Sequence, residues 1–226
     1  MKKILSTALL FGSMAVSSFA ASSQSPLYSK LTIDSLEKQG NNDKSISWSG
    51  NFWIGTEINK IYLYSEGDTP KSSSSNSENQ LVLSHAISPY WDVQVGVGYD
   101  KNQGAHQTWG VIGLKGMLPY FIETRATVLA GNDTVGLRFE AEYKALITQK
   151  LSLTPSLSTA LYSKDLPSME IGKGLSNITA SLRLSYEIKR EFAPYIGVQW
   201  SKNYGHTNDF DPTGETYLVA GFKFWF

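Results

Sequence analysis

Apolar and polar residues alternate one for one along most of this chain. From Ser176 to Ile188, Ile178, Ala180, Leu182, Leu184, Tyr186 and Ile188 form one face; Asn177, Thr179, Ser181, Arg183, Ser185 and Glu187 form the other. Leu151, Leu153, Leu157 and Leu161 oppose Ser152, Thr154, Ser156 and Ser158 in the same way. Leu137, Phe139, Ala141 and Tyr143 oppose Arg138, Glu140, Glu142 and Lys144. A period of two is what a strand with one apolar face produces, and the helical period is nearly absent. Twelve strands are predicted at about 29–38, 45–56, 60–67, 79–87, 92–100, 106–116, 121–130, 134–147, 151–162, 174–188, 194–204 and 215–226, with ends good to about 2–4 residues.

The connections fall into two sets. Tight turns are predicted at Ile58–Asn59, Ser88–Tyr90, Leu118–Tyr120, Thr148–Lys150 and Lys189–Ala193, and longer polar loops at 68–78, 101–105, 163–173 and 205–214. An even number of amphipathic strands, with short turns at one end and longer loops at the other, predicts an all-β, antiparallel transmembrane β-barrel. Its short turns face the periplasm and its longer loops the exterior. Closing the sheet pairs every backbone group where no water is available. Aromatic residues beside the turns (Tyr90, Trp91, Tyr120, Phe121, Tyr195) and toward the other ends (Trp109, Tyr162, Tyr204) suggest interfacial girdles. A soluble secreted β protein would share the alternation. Phe226, in phase with Phe222 and Phe224, instead resembles the terminal signal read by the outer-membrane assembly machinery.

The first twenty residues read differently. Lys2 and Lys3 precede an apolar stretch from Ile4 to Val16, and Ser18-Phe19-Ala20 fits a cleavage site. Residues 1–20 are therefore expected to be a secretory signal peptide, residues 21–28 a short N-terminal segment, and residues 29–226 the barrel. Composition narrows the chemistry further. The 226 residues carry 20 Lys+Arg against 20 Asp+Glu, and no Cys. Balanced charge argues against nucleic acid as a partner. The lack of Cys excludes disulfides and thiolate sites.

Phase assigns the lumen. Lys60, Tyr62, Tyr64, Glu66, Lys115, Glu123, Arg125, Arg138, Glu140, Glu142, Arg183, Glu187, Gln199 and Lys223 all fall on the polar face of their strands. Charges are costly against lipid but tolerated in a wet lumen. They suit either a polar path for a cation or a salt-bridged plug that fills a narrow barrel. Glu140 and Glu142 share a face about 6.5–7 Å apart along the strand. Such a pair could hold or pass a cation, or be neutralised by Arg125, Arg138 or Arg183. His85 is in phase with outward-facing Leu83 and Ile87, and only a local bulge would turn it inward. His106 and His206 border loops, where they could share an ion with Asp209 or Asp211.

Several strings resemble the copper resistance protein B family. They are FWIGTEINKIYLYSEGD (52–68), LVLSHAISPYWDVQVGVGYD (81–100), WGVIGLKGMLPYFIETRATVLA (109–130), LRFEAEYKALITQKLSLTPSL (137–157) and GLSNITASLRLSYEIKREFAPYIGVQW (174–200). The likeness runs from about residue 29 to 226. It implies an outer-membrane barrel with a role in copper handling. Copper ion is then the expected ligand, with no permanently bound cofactor, and outer-membrane lipid and a periplasmic copper protein are the expected partners; three His and no G-x-S-x-G string leave no enzymatic activity expected. On that basis Glu140, Glu142, His85 and His206 are the candidate metal ligands. The chain departs from the family in one respect. Members typically carry a Met- and His-rich segment before the barrel, whereas here only residues 21–28 precede the first strand, and Met117 and Met169 are the only methionines beyond the leader. A structural or general small-solute barrel, and an outer-membrane hydrolase, are the alternative readings. The hydrolase lacks a G-x-S-x-G string.

Overall fold

The computed structural model describes residues 26–40, 45–69 and 75–226. The expected signal peptide, most of the segment at 21–28 and part of the loop at 68–78 lie outside the described residues. Among those described, no helix is long and apolar enough to cross a membrane. The strands are β1 (Tyr28–Gln39), β2 (Ile46–Gly55), β3 (Asn59–Thr69), β4 (Asn76–Ser88), β5 (Trp91–Asn102), β6 (Ala105–Leu118), β7 (Ile122–Ala130), β8 (Val135–Tyr143), β9 (Ala145–Leu146), β10 (Leu151–Tyr162), β11 (Gly174–Tyr186), β12 (Phe192–Asn203) and β13 (Gly214–Trp225). Strand β9 resumes β8 after a break at Lys144, so the wall has twelve staves.

Each stave pairs antiparallel with the next in sequence, and β13 pairs back onto β1 through Thr32↔Trp225 and Gln39↔Val219. The sheet therefore closes into a barrel with no free edge. The break at Lys144 has a local cause. Pro155 keeps its register opposite Leu182 of β11, while the ladder to β8 and β9 skips Thr154 and Pro155. A proline supplies no ladder donor.

The alternation sorts the residues as expected. Leu63, Leu81, Val97, Ile112, Leu137, Leu157, Leu182 and Leu218 point outward and are exposed. The residues beside them, such as Gln80, Val111, Arg138, Ser181 and Val219, are buried inside. Tyr90, Tyr120 and Phe121 project at the short-turn end, Tyr120 being 84% exposed. Trp109, Tyr162 and Tyr195 do not join a girdle. They share the phase of the inward residues and are buried in the lumen.

Two loops also differ from expectation. The connection at 101–105 is a two-residue turn, Gln103–Gly104, with φ of 48° and 87°. Positive φ at both central positions is the type I′ geometry that suits the strand twist. The loop at 204–213 holds a short helix, α1 (Gly205–Phe210).

Leu157 and Ser158 are sequence neighbours on opposite faces of β10. Leu157→Arg should destabilise the barrel in lipid vesicles by about 2–4 kcal/mol, read as urea unfolding by tryptophan fluorescence. Ser158→Arg, on the cavity side, should change stability little.

Candidate functional site in the barrel lumen

The lumen has a filled half toward the long loops and an open half toward the short turns. The filled half is organised around Arg138 of β8, which is 8% exposed. Its guanidinium reaches Asp100 at 2.7 Å, pairs closely with Glu78, and donates to the Tyr162 hydroxyl at 3.0 Å. Trp109 donates from its indole nitrogen to Asp100 at 2.8 Å. Trp109 and Tyr162 lie 6.1 Å apart and pack with Tyr62, Val82, Val111, Leu129 and Ala160. The loop at 163–173 bends in over this cluster. Its tip is a small hairpin in which Leu166 and Ile171 exchange backbone hydrogen bonds. Both side chains rest on the cluster, and Met169 is buried between them in sequence.

Helix α1 fixes the loop from the other side. The backbone N–H of Gly172 donates to Thr207 Oγ1 at 2.8 Å, and Thr207 donates on to Ser176. A Cβ at Gly172 would collide with the backbone of His206 and Thr207. His206 Nδ1 lies 3.0 Å from Asp165, which also accepts the Lys173 backbone N–H at 2.6 Å. That backbone donor, and then His206, hold the Asp165 carboxyl below its ordinary range.

The open half is a cavity of about 630 Å³. One wall is cationic. Lys115 sits 4.6 Å from the Tyr62 ring centre and donates to the Tyr64 hydroxyl at 3.3 Å. The Arg125 guanidinium lies 4.0 Å from the Tyr64 ring centre and is held by Gln80 and Gln94. Desolvated cation–π contacts of this kind are worth about 2 kcal/mol.

Another wall carries a fork. Arg183 donates to both carboxylate oxygens of Glu37, at 3.1 Å each, and Tyr195 donates to Glu37 at 2.8 Å. Glu37 is only 4% exposed; Ser47 also donates to it, at 3.3 Å, and the bidentate pairing with these two further donors is what makes its burial tolerable. A bulge in β1 between Ile33 and Leu36 shifts the alternation, so Asp34 and Glu37 both face inward. Asp34 pairs with Lys223 at 3.3 Å.

A third group consists of carboxylates. Glu123 and Glu142 are register partners on β7 and β8, and Glu140 is partnered with Arg125. The Arg125–Glu140 pair is loose, at 3.9 Å. Glu123, Glu142 and Glu66 line the same cavity and form no ion pair within 4 Å among the described residues. A set of weakly countered acids thus runs inward from the short-turn mouth.

The remaining lumen residues lie nearer the rim. Lys60 pairs with Asp92 at 3.8 Å, and Glu187 with Lys144 at 2.7 Å. The four candidate metal ligands are not gathered at one point. Glu140 and Glu142 share the cavity. His85 is on the outer surface of the wall, with Nδ1 2.7 Å from Asn59 Oδ1; the bulge in β4 comes after it, between Ala86 and Ser88, and leaves its phase unchanged. His206 is at the long-loop end beside Asp165, not Asp209 or Asp211. His106 stacks on Tyr99 at 6.0 Å. No group of three or more His, Asp or Glu among the described residues is arranged to hold a metal ion.

Sequence reasoning passed over Asp34, Glu37, Glu78 and Asp100. Asp100 is in phase with Asp92 and Gln94, so alternation alone could have placed it. Glu78 lay just outside the predicted strand. Asp34 and Glu37 were hidden by the bulge.

The family model described as Copper resistance protein B precursor matches residues 27–226. The chain belongs to the copper resistance protein B family. Copper resistance protein B of Escherichia coli is 38% identical over 203 residues, covering 87% of this chain and 69% of that protein. A homolog from Pseudomonas syringae pv. tomato is 37% identical over 209 residues, covering 89% and 71%. Solved structures share the architecture at much lower identity. The NanC porin aligns with a TM-score of 0.56 at 10% identity, covering 87% of this chain and 99% of its own. The KdgM porin aligns at 0.50 and 12%, covering 86% and 98%. Outer membrane phospholipase A of Escherichia coli aligns at 0.50 and 13%, covering 89% and 91%. Family and fold together place this copper-resistance barrel in the outer membrane.

Removing one partner of a buried pair leaves the other uncompensated. Arg183→Gln should cost about 3–5 kcal/mol in urea unfolding, and Glu37→Gln added to it should restore much of that loss. The loop clasp has its own pH signature. Because the folded Asp165 carboxyl titrates lower than the unfolded one, its contribution is complete above the ordinary carboxylate range of about 4. It is lost as pH falls through the depressed value. Hydrogen exchange of the Lys173 amide should therefore speed up in strong acid, and Asp165→Asn should show fast exchange already at neutral pH.

Proposed function

We propose that this barrel handles copper by passive translocation: ions enter the open half of the lumen and move along its free carboxylates. The supporting observation is the run of Glu123, Glu142, Glu140 and Glu66 along one cavity, in which, among the described residues, only Glu140 has a cation within 4 Å, and that one loose at 3.9 Å. Carboxylates abreast of one another repel unless a cation lies between them. An entering copper ion would relieve that repulsion without being trapped, since no group of three His, Asp or Glu among the described residues is arranged to chelate it. Copper is cargo in this reading, not a resident cofactor. Arg125, the register partner of Glu140, and Lys115 on the next strand keep net attraction modest, which favours release as well as entry. No nucleotide-binding string such as G-x-x-x-x-G-K-[ST] occurs, so the chain itself supplies no energy, and a periplasmic copper protein would accept or deliver the ion at the short-turn mouth.

The filled half favours a second reading, in which the barrel is structural and binds at the cavity without passing anything. One experiment separates the two. The purified barrel is placed in liposomes, and entry of copper, zinc and a neutral sugar is followed. Selective copper entry that falls about tenfold (1.4 kcal/mol in barrier) in Glu140→Gln/Glu142→Gln is the expected result. Equal entry of all three solutes would indicate a general small-solute barrel, and no entry of any would leave the structural reading.

A further inference from the structure

Lys115 and Arg125 are register partners on β6 and β7, and both line the open cavity. Like charges directly opposite one another are destabilising unless something answers them. Lys60, Arg138, Arg183 and Lys223 each have a carboxylate within 4 Å, and Lys115 has none among the described residues. Asp92, its partner on β5, is engaged by Lys60 at 3.8 Å and by Ser84 at 3.1 Å. Neutral groups hold the two cations instead. Gln80 and Gln94 accept from Arg125, Gln94 donates to the Tyr64 hydroxyl at 3.0 Å, and Lys115 donates to that same hydroxyl.

This arrangement leaves donors unspent. An ammonium has three N–H groups, and Lys115 uses one of them, on Tyr64. Arg125 Nη1 has Glu140 at 3.9 Å, beyond hydrogen-bonding reach. The Tyr64 oxygen accepts two bonds, and its own O–H has no acceptor among the described residues. Three donors from β3, β6 and β7 therefore border one cavity with nothing to receive them.

We propose that Lys115, Arg125 and Tyr64 form a receptor for the carboxylate group of a small organic anion. A carboxylate brings two acceptor oxygens and a single negative charge. Phosphate would bring more charge, and Glu140, Glu66 and Glu78, which also face Arg125, weigh against it. A bound carboxylate would cancel the charge that these two cations set against an entering cation. The site does not depend on copper being the cargo.

The probe is acetate, with inorganic phosphate as a second arm, added at fixed ionic strength to the purified full-length barrel and followed by saturation-transfer NMR. Acetate should bind saturably. Lys115→Gln should weaken it at least about tenfold through loss of a charged donor, and Lys115→Arg should keep most of it. Tyr64→Phe retains the ring over both cations and removes the proton, and should weaken binding about threefold. Lys223→Gln, which removes a cation of the same cavity already paired with Asp34, should change it little. No saturable binding by the unmodified barrel, or a folded Tyr64→Phe that binds equally well, would overturn the proposal. So would phosphate binding tighter than acetate, or an equal loss in Lys223→Gln, which would assign the attraction to the lumen as a whole. No copper is present, so failure here is distinct from failure of the flux experiment.

Discussion

A strand has two hydrogen-bonding edges, and the middle of a bilayer offers no water to satisfy either. The pairing of β13 with β1 answers that constraint, and the rest of the molecule follows from it. Once the sheet is closed, alternate residues have only two destinations. Leu63, Leu81, Val97 and Leu182 meet lipid; their neighbours meet one another across a lumen of twelve staves. That lumen is too narrow to be a wide aqueous pore and too wide to be filled by aliphatic packing alone.

The interior solves this with charge. Three clusters, centred on Arg138, Arg183 and the Lys115–Arg125 wall, each tie several strands together. Their bonds are long-range in sequence and short in space: Glu37 and Arg183 meet from opposite ends of the chain. Aromatic rings serve as a second kind of counterweight, since Tyr62 and Tyr64 stack at 5.3 Å and present their faces to two cations. The acids between these clusters are less fully countered.

Much of this was legible in the sequence because a period of two is unambiguous when one side is lipid. The twelve staves and their order follow from alternation, and the inward assignment of Arg125, Arg138, Glu140 and Lys223 follows from phase. What escaped was what breaks the period. The bulge after Ile33 hid Asp34 and Glu37. The Pro155 gap split β8 in a way no run of side chains announces. The inward fold of Leu166 and Ile171 depends on tertiary contacts with Trp109 and Tyr162 that a polar loop does not advertise. Trp109 and Tyr162 themselves were read by their position near a strand end, when their phase already pointed inward. Copper was never in the periodicity at all; it came from the likeness of strings such as FEAEY to a family and from the match of the chain to that family.

The seam between β1 and β13 also governs how the molecule comes into being. Its partners, Thr32 and Trp225, sit at opposite ends of the sequence, so the contact that completes the wall has nearly the largest loop to close. Local hairpins such as the one at Gln103–Gly104 can form early, but none is stable in the bilayer while its outer edges are unpaired. The barrel is therefore an all-or-nothing assembly whose neighbouring staves pair locally and whose completion waits on one long loop closure. Opening it demands that many ladder bonds break together, so the same seam that delays folding makes the finished barrel long-lived.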